Sequence, residues 1–137
     1  MDHPSQTLED LNFLATHQDL DLAILFGSLA SGRTHRDSDL DIAIYPNRPL
    51  SPTDLAALSD QLALATGRPV DLVDLSRING ALLRQILRKG IVIFSKKPGT
   101  LGILAERLLD WQSDFEPAYQ QILAAKRQRF LANAHGH

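Results

Sequence analysis

Two aspartates interrupt an otherwise apolar run in the first third of the chain. Asp39 and Asp41 alternate with Leu40, Ile42 and Ile44 in the segment DLDIAIY. Since alternate residues of a strand share a face, the two carboxylates are expected on one face, about 7 Å apart at their Cβ atoms. Such a pair repels unless water screens it or a cation joins it, and oxygen ligands completed by water suit Mg²⁺. Taken alone, the pattern also fits an ordinary strand with one polar face.

A glycine–serine pair lies upstream, directly after the apolar segment DLAILF. Gly27 permits tight backbone geometry at the end of a strand, and Ser28 offers a hydroxyl and a backbone N–H at a helix start. Free N–H groups at such a start favour anions, and Mg²⁺ in an open site usually carries a phosphate ligand. The two motifs together predict a site for a phosphorylated ligand and a metal ion.

Strands and helices interleave along the chain. Period-two or short apolar runs predict four strands, at residues 21–26, 39–45, 69–75 and 91–94. Helical periodicity and capping residues predict a helical turn at 28–31 and helices at 7–18, 51–67, 78–90 and 100–131, the last with a kink or join at Pro117. The fold class expected from this alternation is α/β (α+β), with a small sheet of about four strands flanked by helices.

Composition limits the classes of function. The 137 residues are 44% hydrophobic, which is enough for one domain with a core, and the net charge of −2 argues against a broad nucleic-acid-binding surface. No cysteine is present, so thiolate metal sites and cysteine nucleophiles are excluded. Neither a secretory signal nor an apolar run long enough for a bilayer is evident, so we expect no membrane association and a cytoplasmic location.

The longer segment GSLASGRTHRDSDLD resembles the signature of DNA polymerase β-type nucleotidyltransferases. In particular it is similar to the minimal nucleotidyltransferases (MNT) that are paired with HEPN-domain toxins in prokaryotes. Ala30, Gly32 and Ser38 stand where that family's pattern has them. The resemblance implies a nucleotidyltransferase fold with a small mixed sheet, a catalytic core at about 1–97 and a long C-terminal helical segment at about 98–137, within a single domain, 1–137.

The resemblance also implies roles for individual residues. Asp39 and Asp41 would hold Mg²⁺ against the triphosphate of ATP, while the remaining phosphate contacts would come from Gly27, Ser28, Ser38 and Arg36. Members of the family often carry Arg where this chain has Ser31, so Arg33 and Arg36 become the candidate cations for the triphosphate.

A third carboxylate is expected on a neighbouring strand, and PVDLVDL offers two. Asp71 and Asp74 fall on opposite faces of a regular strand, so only one can point at the site. The resemblance favours Asp71, as a metal ligand or as the acceptor of the attacking hydroxyl's proton. Asp74 would then end the strand and be satisfied by nearby backbone.

The implied function is that of an antitoxin in a type VII-like toxin–antitoxin pair. It would transfer AMP from ATP to a tyrosine hydroxyl of a cognate HEPN ribonuclease toxin, with which it would form a hetero-oligomer, and so inactivate the toxin. The alternative is a non-catalytic antitoxin that neutralises its partner by binding and occlusion. Direct nucleic-acid binding is not expected in either case.

Two further features have alternative interpretations. Trp111, Phe115 and Tyr119 recur every four residues and would form a stripe on one helix, packed either on the chain's own sheet or against a partner. Arg84 and Arg88 share a face of the helix predicted at 78–90, and are either surface residues or nucleotide contacts.

Overall fold

The computed structural model describes residues 4–30, 39–114, 124, 125 and 127. Its four strands are β1 (Leu20–Phe26), β2 (Leu40–Pro46), β3 (Val70–Asp74) and β4 (Ile91–Ser95). They form one sheet in the order β3-β2-β1-β4. β1 is antiparallel to both of its neighbours, whereas β2 and β3 are parallel. The predicted mixed sheet of about four strands is therefore confirmed.

Helices connect and cover the strands. They are α1 (Pro4–Leu11), α2 (Gly27–Ala30), α3 (Pro52–Thr66), α4 (Gly80–Lys89) and α5 (Pro98–Asp114), with short 3₁₀ helices at Asn12–Thr16 and Leu75–Arg77. The single helix predicted at 7–18 is instead α1 followed by a tighter 3₁₀ segment, which buries Leu14. The helix predicted from residue 100 begins at Pro98, a residue well suited to the first helical position. Pro117 lies outside the described residues.

Both faces of the sheet are buried, which differs from the single core face that the alternation in β2 suggested. One face packs against α1 and α3 through an apolar cluster whose members include Leu11, Leu14, Leu40, Ile42, Ile44, Leu58 and Leu62. The opposite face packs against α4 and α5 through Leu22, Ile24, Phe26, Ala43, Leu83, Ile86 and Leu104. Asp41 therefore lies on a face that is apolar over most of its length, and not on a broad polar surface.

Local capping chemistry fixes where α3 begins and ends. The Ser51 hydroxyl accepts a hydrogen bond from the Asp54 backbone N–H at 3.0 Å, and the Asp54 carboxylate accepts one from the Ser51 N–H at 3.1 Å. This reciprocal pair satisfies two N–H groups at the helix start. Gly67, with φ +71°, ends the helix and turns the chain into β3.

Candidate active site

The predicted acids meet at one end of the sheet. In β2, Asp41 pairs with Phe26, the last residue of β1, and on its other side with Asp71 of β3. Register partners on adjacent strands place their side chains on the same face. The parallel pairing of β2 with β3 therefore brings Asp41 and Asp71 side by side, next to the point where β1 passes into α2.

Gly27 makes room for the Asp41 carboxylate. A Cβ built on Gly27 would overlap Oδ2 of Asp41 and lie 2.9 Å from its Cγ, and the glycine has φ +78°. Both the close approach and the left-handed backbone disfavour any residue that has a side chain. The glycine of the glycine–serine pair and the second aspartate, 14 positions apart in sequence, are in direct contact.

Asp39 lies just outside the strand that was expected to carry it. β2 begins at Leu40, whose N–H donates to the Pro69 carbonyl at 2.8 Å. Asp39 is the residue before the strand, and its side chain is exposed. The strict alternation that places two carboxylates on one strand face therefore applies to Asp41 but not to Asp39. Asp39 remains at the same end of the sheet as the other two acids.

The three acids interact electrostatically. Partial burial raises the pKa of Asp41 above its ordinary value, and the negative charges of Asp71 and Asp39 raise it further. A cation placed among these carboxylates would relieve this repulsion. The chemistry of the donor set, all carboxylate oxygen, fits Mg²⁺. In the part of the chain that the structure describes, no three His, Cys, Asp or Glu side chains are close enough to form a ready metal cage.

Asp74 is engaged at the opposite end of β3. Its side chain is 7% exposed and accepts hydrogen bonds from the Ser76 N–H at 2.9 Å and from the Ser76 hydroxyl at 2.6 Å. Arg77 Nε lies 3.5 Å from its other oxygen. Asp74 therefore caps the 3₁₀ helix after β3 and points away from Asp41.

Several of the predicted phosphate contacts lie outside the part of the chain that the structure describes. Ser38 and Arg36 lie outside the described residues, as do Ser31 and Arg33. Ser28 is the second residue of α2, but its side chain is likewise outside the described part.

Of the predicted aromatic stripe, Phe115 and Tyr119 also lie outside the described residues. Its first member, Trp111, contacts Gly80 of α4, where an added Cβ would lie 3.3 Å from the indole Nε1.

Two arginines that the sequence did not single out contribute to this architecture. Arg68, 8% exposed, immediately precedes Pro69 at the same end of the sheet as the acids. Arg107 of α5 donates to the carbonyl of Leu75 at 2.8 Å and approaches that of Ile78 at 3.4 Å, which ties α5 to the segment after β3. No local sequence pattern identifies either arginine. The role of Arg107 depends on contacts with a distant segment, and that of Arg68 depends on its burial.

A sequence model described as polymerase beta, nucleotidyltransferase, matches residues 10–99. The chain belongs to the polymerase beta nucleotidyltransferase family. The matched region of this nucleotidyltransferase covers all four strands and therefore every predicted site residue. The resemblance to minimal nucleotidyltransferases of toxin–antitoxin pairs, drawn from the motif, is confirmed by the relatives that follow.

A curated relative of this nucleotidyltransferase is the protein adenylyltransferase MntA of Shewanella oneidensis, 39% identical over 71 residues. That match covers 52% of this chain and 51% of MntA, so it spans about half the length of the relative.

Solved structures resemble the chain over almost its whole length. One is a chain from a toxin–antitoxin complex with AMP-PNP, with a TM-score of 0.65 and 26% identity over 93% of this chain and 97% of that one. Another comes from a tri-AMPylated Shewanella oneidensis HEPN toxin in complex with MNT antitoxin, with a TM-score of 0.59 and 22% identity over 96% and 98% of the two chains. At 22% identity the second likeness establishes the fold alone.

No helix in the described part of the chain combines the length and the apolar character needed to cross a bilayer.

Proposed function

We propose that this nucleotidyltransferase is an antitoxin that transfers AMP from ATP to a tyrosine hydroxyl of a cognate HEPN ribonuclease toxin. The observation that carries the proposal is the convergence of Gly27, Asp41 and Asp71 at one end of the sheet. It brings the two halves of the sequence signature into contact beside a third carboxylate. A protein adenylyltransferase among the relatives, and a toxin–antitoxin complex with AMP-PNP among similar structures, support a protein acceptor and an ATP-like donor.

The residues of the site have complementary roles in this reaction. Asp39, Asp41 and Asp71 would hold Mg²⁺, which when bound supplies positive charge to the attacking and leaving oxygens. Gly27 and Ser28 present backbone N–H groups at the start of α2 to the phosphates. Ser38 and Arg36 are proposed as further phosphate contacts. The protein acts here by positioning and charge, without a covalent intermediate.

The transfer step is a nucleophilic displacement at phosphorus. The tyrosine oxygen forms a bond to the α-phosphorus, the bond from that phosphorus to the bridging oxygen breaks, and pyrophosphate leaves with the electron pair. Asp71 is suited to accept the hydroxyl proton, because it is exposed and lies beside Asp41. The product is a toxin that carries an AMP–tyrosine phosphodiester.

Intact-mass analysis of a co-expressed HEPN partner, incubated with the protein, ATP and Mg²⁺, tests the proposal. We expect a gain of one or more AMP units on a partner tyrosine, and its loss in a variant that combines Asp39→Asn with Asp41→Asn. The matched control combines Asp60→Asn with Asp110→Asn, two exposed acids on α3 and α5, and should transfer AMP like the wild type. Omitting Mg²⁺ should also abolish the mass gain.

The same experiment separates catalysis from simple occlusion. If the partner gains no mass and the Asp39→Asn, Asp41→Asn variant still neutralises the toxin, the protein acts by binding and the adenylyltransferase proposal is wrong.

A further inference from the structure

The order of the strands arranges the site in a line. At the end of the sheet that carries the acids, Asp71 is on β3, Asp41 on β2 and Gly27 directly after β1. The next position in that line is the junction between α4 and β4, because Ile91 pairs with Leu25 of β1. Two strand spacings separate β2 from β4, or about 10 Å.

Gly90 packs the end of α4 tightly against β1. A Cβ on Gly90 would overlap the side chain of Ile24 and lie 3.3 Å from the Leu25 carbonyl oxygen. The last turn of α4 is therefore held beside the end of β1, where Gly27 begins α2. Its two terminal residues, Arg88 and Lys89, are both exposed.

Arg88 and Lys89 belong to a cationic surface on α4. Together with Ala81, Arg84 and Gln85 they line a cavity of about 310 Å³. Within the described residues, the structure records no acidic partner for Arg88 or Lys89. By contrast, Arg48 pairs with Asp19 at 2.9 Å, and Lys97 with Asp21 at 3.4 Å.

We propose that Arg88 and Lys89 bind the β- and γ-phosphates of the nucleotide and retain the pyrophosphate as it leaves. This inference rests on the proposed function. With the α-phosphate at the three carboxylates, a triphosphate that passes Gly27 has the end of α4 next in its path. Phosphate oxygens there meet two cations for which the described residues provide no acidic partner, and charge-assisted hydrogen bonds to phosphate are among the stronger ones.

The role predicts selectivity for the polyphosphate part of the nucleotide. In the presence of Mg²⁺, calorimetry should give about tenfold weaker binding of inorganic tripolyphosphate and of ATP to a variant that combines Arg88→Gln with Lys89→Gln. Binding of AMP should be unchanged. In transfer assays KM for ATP should rise more than kcat falls.

A control variant removes the same charge from the other end of β4. Lys96 and Lys97 follow Ser95, which pairs with Leu22 at the far end of the sheet. A variant that combines Lys96→Gln with Lys97→Gln should bind tripolyphosphate like the wild type. A purely structural role for Arg88 and Lys89, as favourable charges at a helix C-terminus, would lower the thermal midpoint and leave tripolyphosphate affinity unchanged.

The outcomes separate the two proposals. Unchanged affinity for tripolyphosphate in the Arg88→Gln, Lys89→Gln variant, with wild-type binding intact, overturns the inference alone. Tripolyphosphate binding that depends on these residues, with no AMP transfer to a HEPN partner, upholds the inference and overturns the proposed function. A wild-type protein that binds neither ATP nor tripolyphosphate overturns both.

Discussion

At the scale of single residues, the contact between Gly27 and Asp41 is the central feature of the site. The glycine provides a left-handed backbone and leaves the space that the carboxylate occupies. Position 27 therefore requires glycine for two reasons, the left-handed backbone and the space taken by Asp41. At Gly67 only the first reason applies, because its backbone is also left-handed but no atom lies near an added Cβ.

Replacing Gly27 by Ala should cost both stability and activity. Forcing an L-residue into the left-handed region costs about 1–2 kcal/mol, and the added methyl group must displace Asp41. Gly67→Ala has the same conformational strain at φ +71° but nothing within 4 Å of the added Cβ. Urea denaturation should show a loss of unfolding free energy from strain in both variants and a larger total loss in Gly27→Ala, and AMP transfer should fail only in Gly27→Ala. Equal transfer by the two variants would contradict the assigned role of the contact.

Asp41 should make stability depend on pH in a defined direction. Because its pKa is raised in the folded state, folding favours the protonated form. This contribution is complete below the unfolded-state value of 3.8 and is lost as the pH rises through the higher folded-state pKa. Without metal at neutral pH, Asp41→Asn should therefore raise the thermal midpoint, and the gain should disappear in acid. Asp60→Asn, at an exposed site on α3, is the control, and a lower midpoint for Asp41→Asn at neutral pH would refute the repulsion.

At the scale of elements, β3 carries two acids with separate tasks. Its parallel register with β2 sets Asp71 beside Asp41, while the odd spacing turns Asp74 to the other face. There Asp74 caps the following 3₁₀ helix. The same short strand thus supplies one acid to the proposed site and one to the fold.

Substituting the two acids of β3 should give opposite results. Asp71→Asn, at an exposed position, should change the unfolding free energy by no more than about 0.5 kcal/mol and abolish AMP transfer. Asp74→Ala removes the hydrogen bonds from Ser76, so it should cost about 1–2 kcal/mol yet retain transfer by the folded fraction. Chemical denaturation and intact-mass assays on the same preparations check both. The reverse pattern would make Asp74 the third site carboxylate.

At the scale of the whole molecule, the sheet is covered on both faces and the candidate site lies at one end of it. α4 and α5 bury the face that carries Asp41, and Leu104 of α5 is fully buried in that cluster. Arg107 attaches the same helix to the segment between β3 and α4, and Trp111 contacts Gly80, the first residue of α4. The covering of this face stabilises the sheet, and the acids meet at the end of that face.

Loss of the α5 contact should lower stability without a change in the chemistry of the site. Leu104→Ala should cost about 2–5 kcal/mol, as expected for a fully buried leucine. Leu109→Ala, on the same helix with the leucine 61% exposed, should stay within about 0.5 kcal/mol of the wild type. The thermal unfolding midpoints of the two variants test this difference. KM for ATP of the folded Leu104→Ala variant should match that of the wild type. Equal midpoints would mean that α5 does not stabilise this face.

Much of the fold and part of the candidate site follow from neighbouring residues alone. Alternation along DLDIAIY, the glycine–serine pair after β1, and the Ser51 and Gly67 caps are local patterns, since side-chain period and turn chemistry depend on adjacent positions. These local patterns predicted the four strands, and they include the motif whose resemblance indicated the family. The boundary at Asp39 was misjudged by one residue, because a strand begins where a partner backbone is available, here Pro69.

Long-range packing decided the rest. Which carboxylate of β3 stands beside Asp41 depends on the β2–β3 register, and the contact of Gly27 with Asp41 depends on how β1 and β2 pair. The place of Arg88 and Lys89 follows from β4 joining the far side of β1. Strand order and register are set by burial of two apolar faces against helices distant in the chain, and no run of adjacent residues encodes that choice.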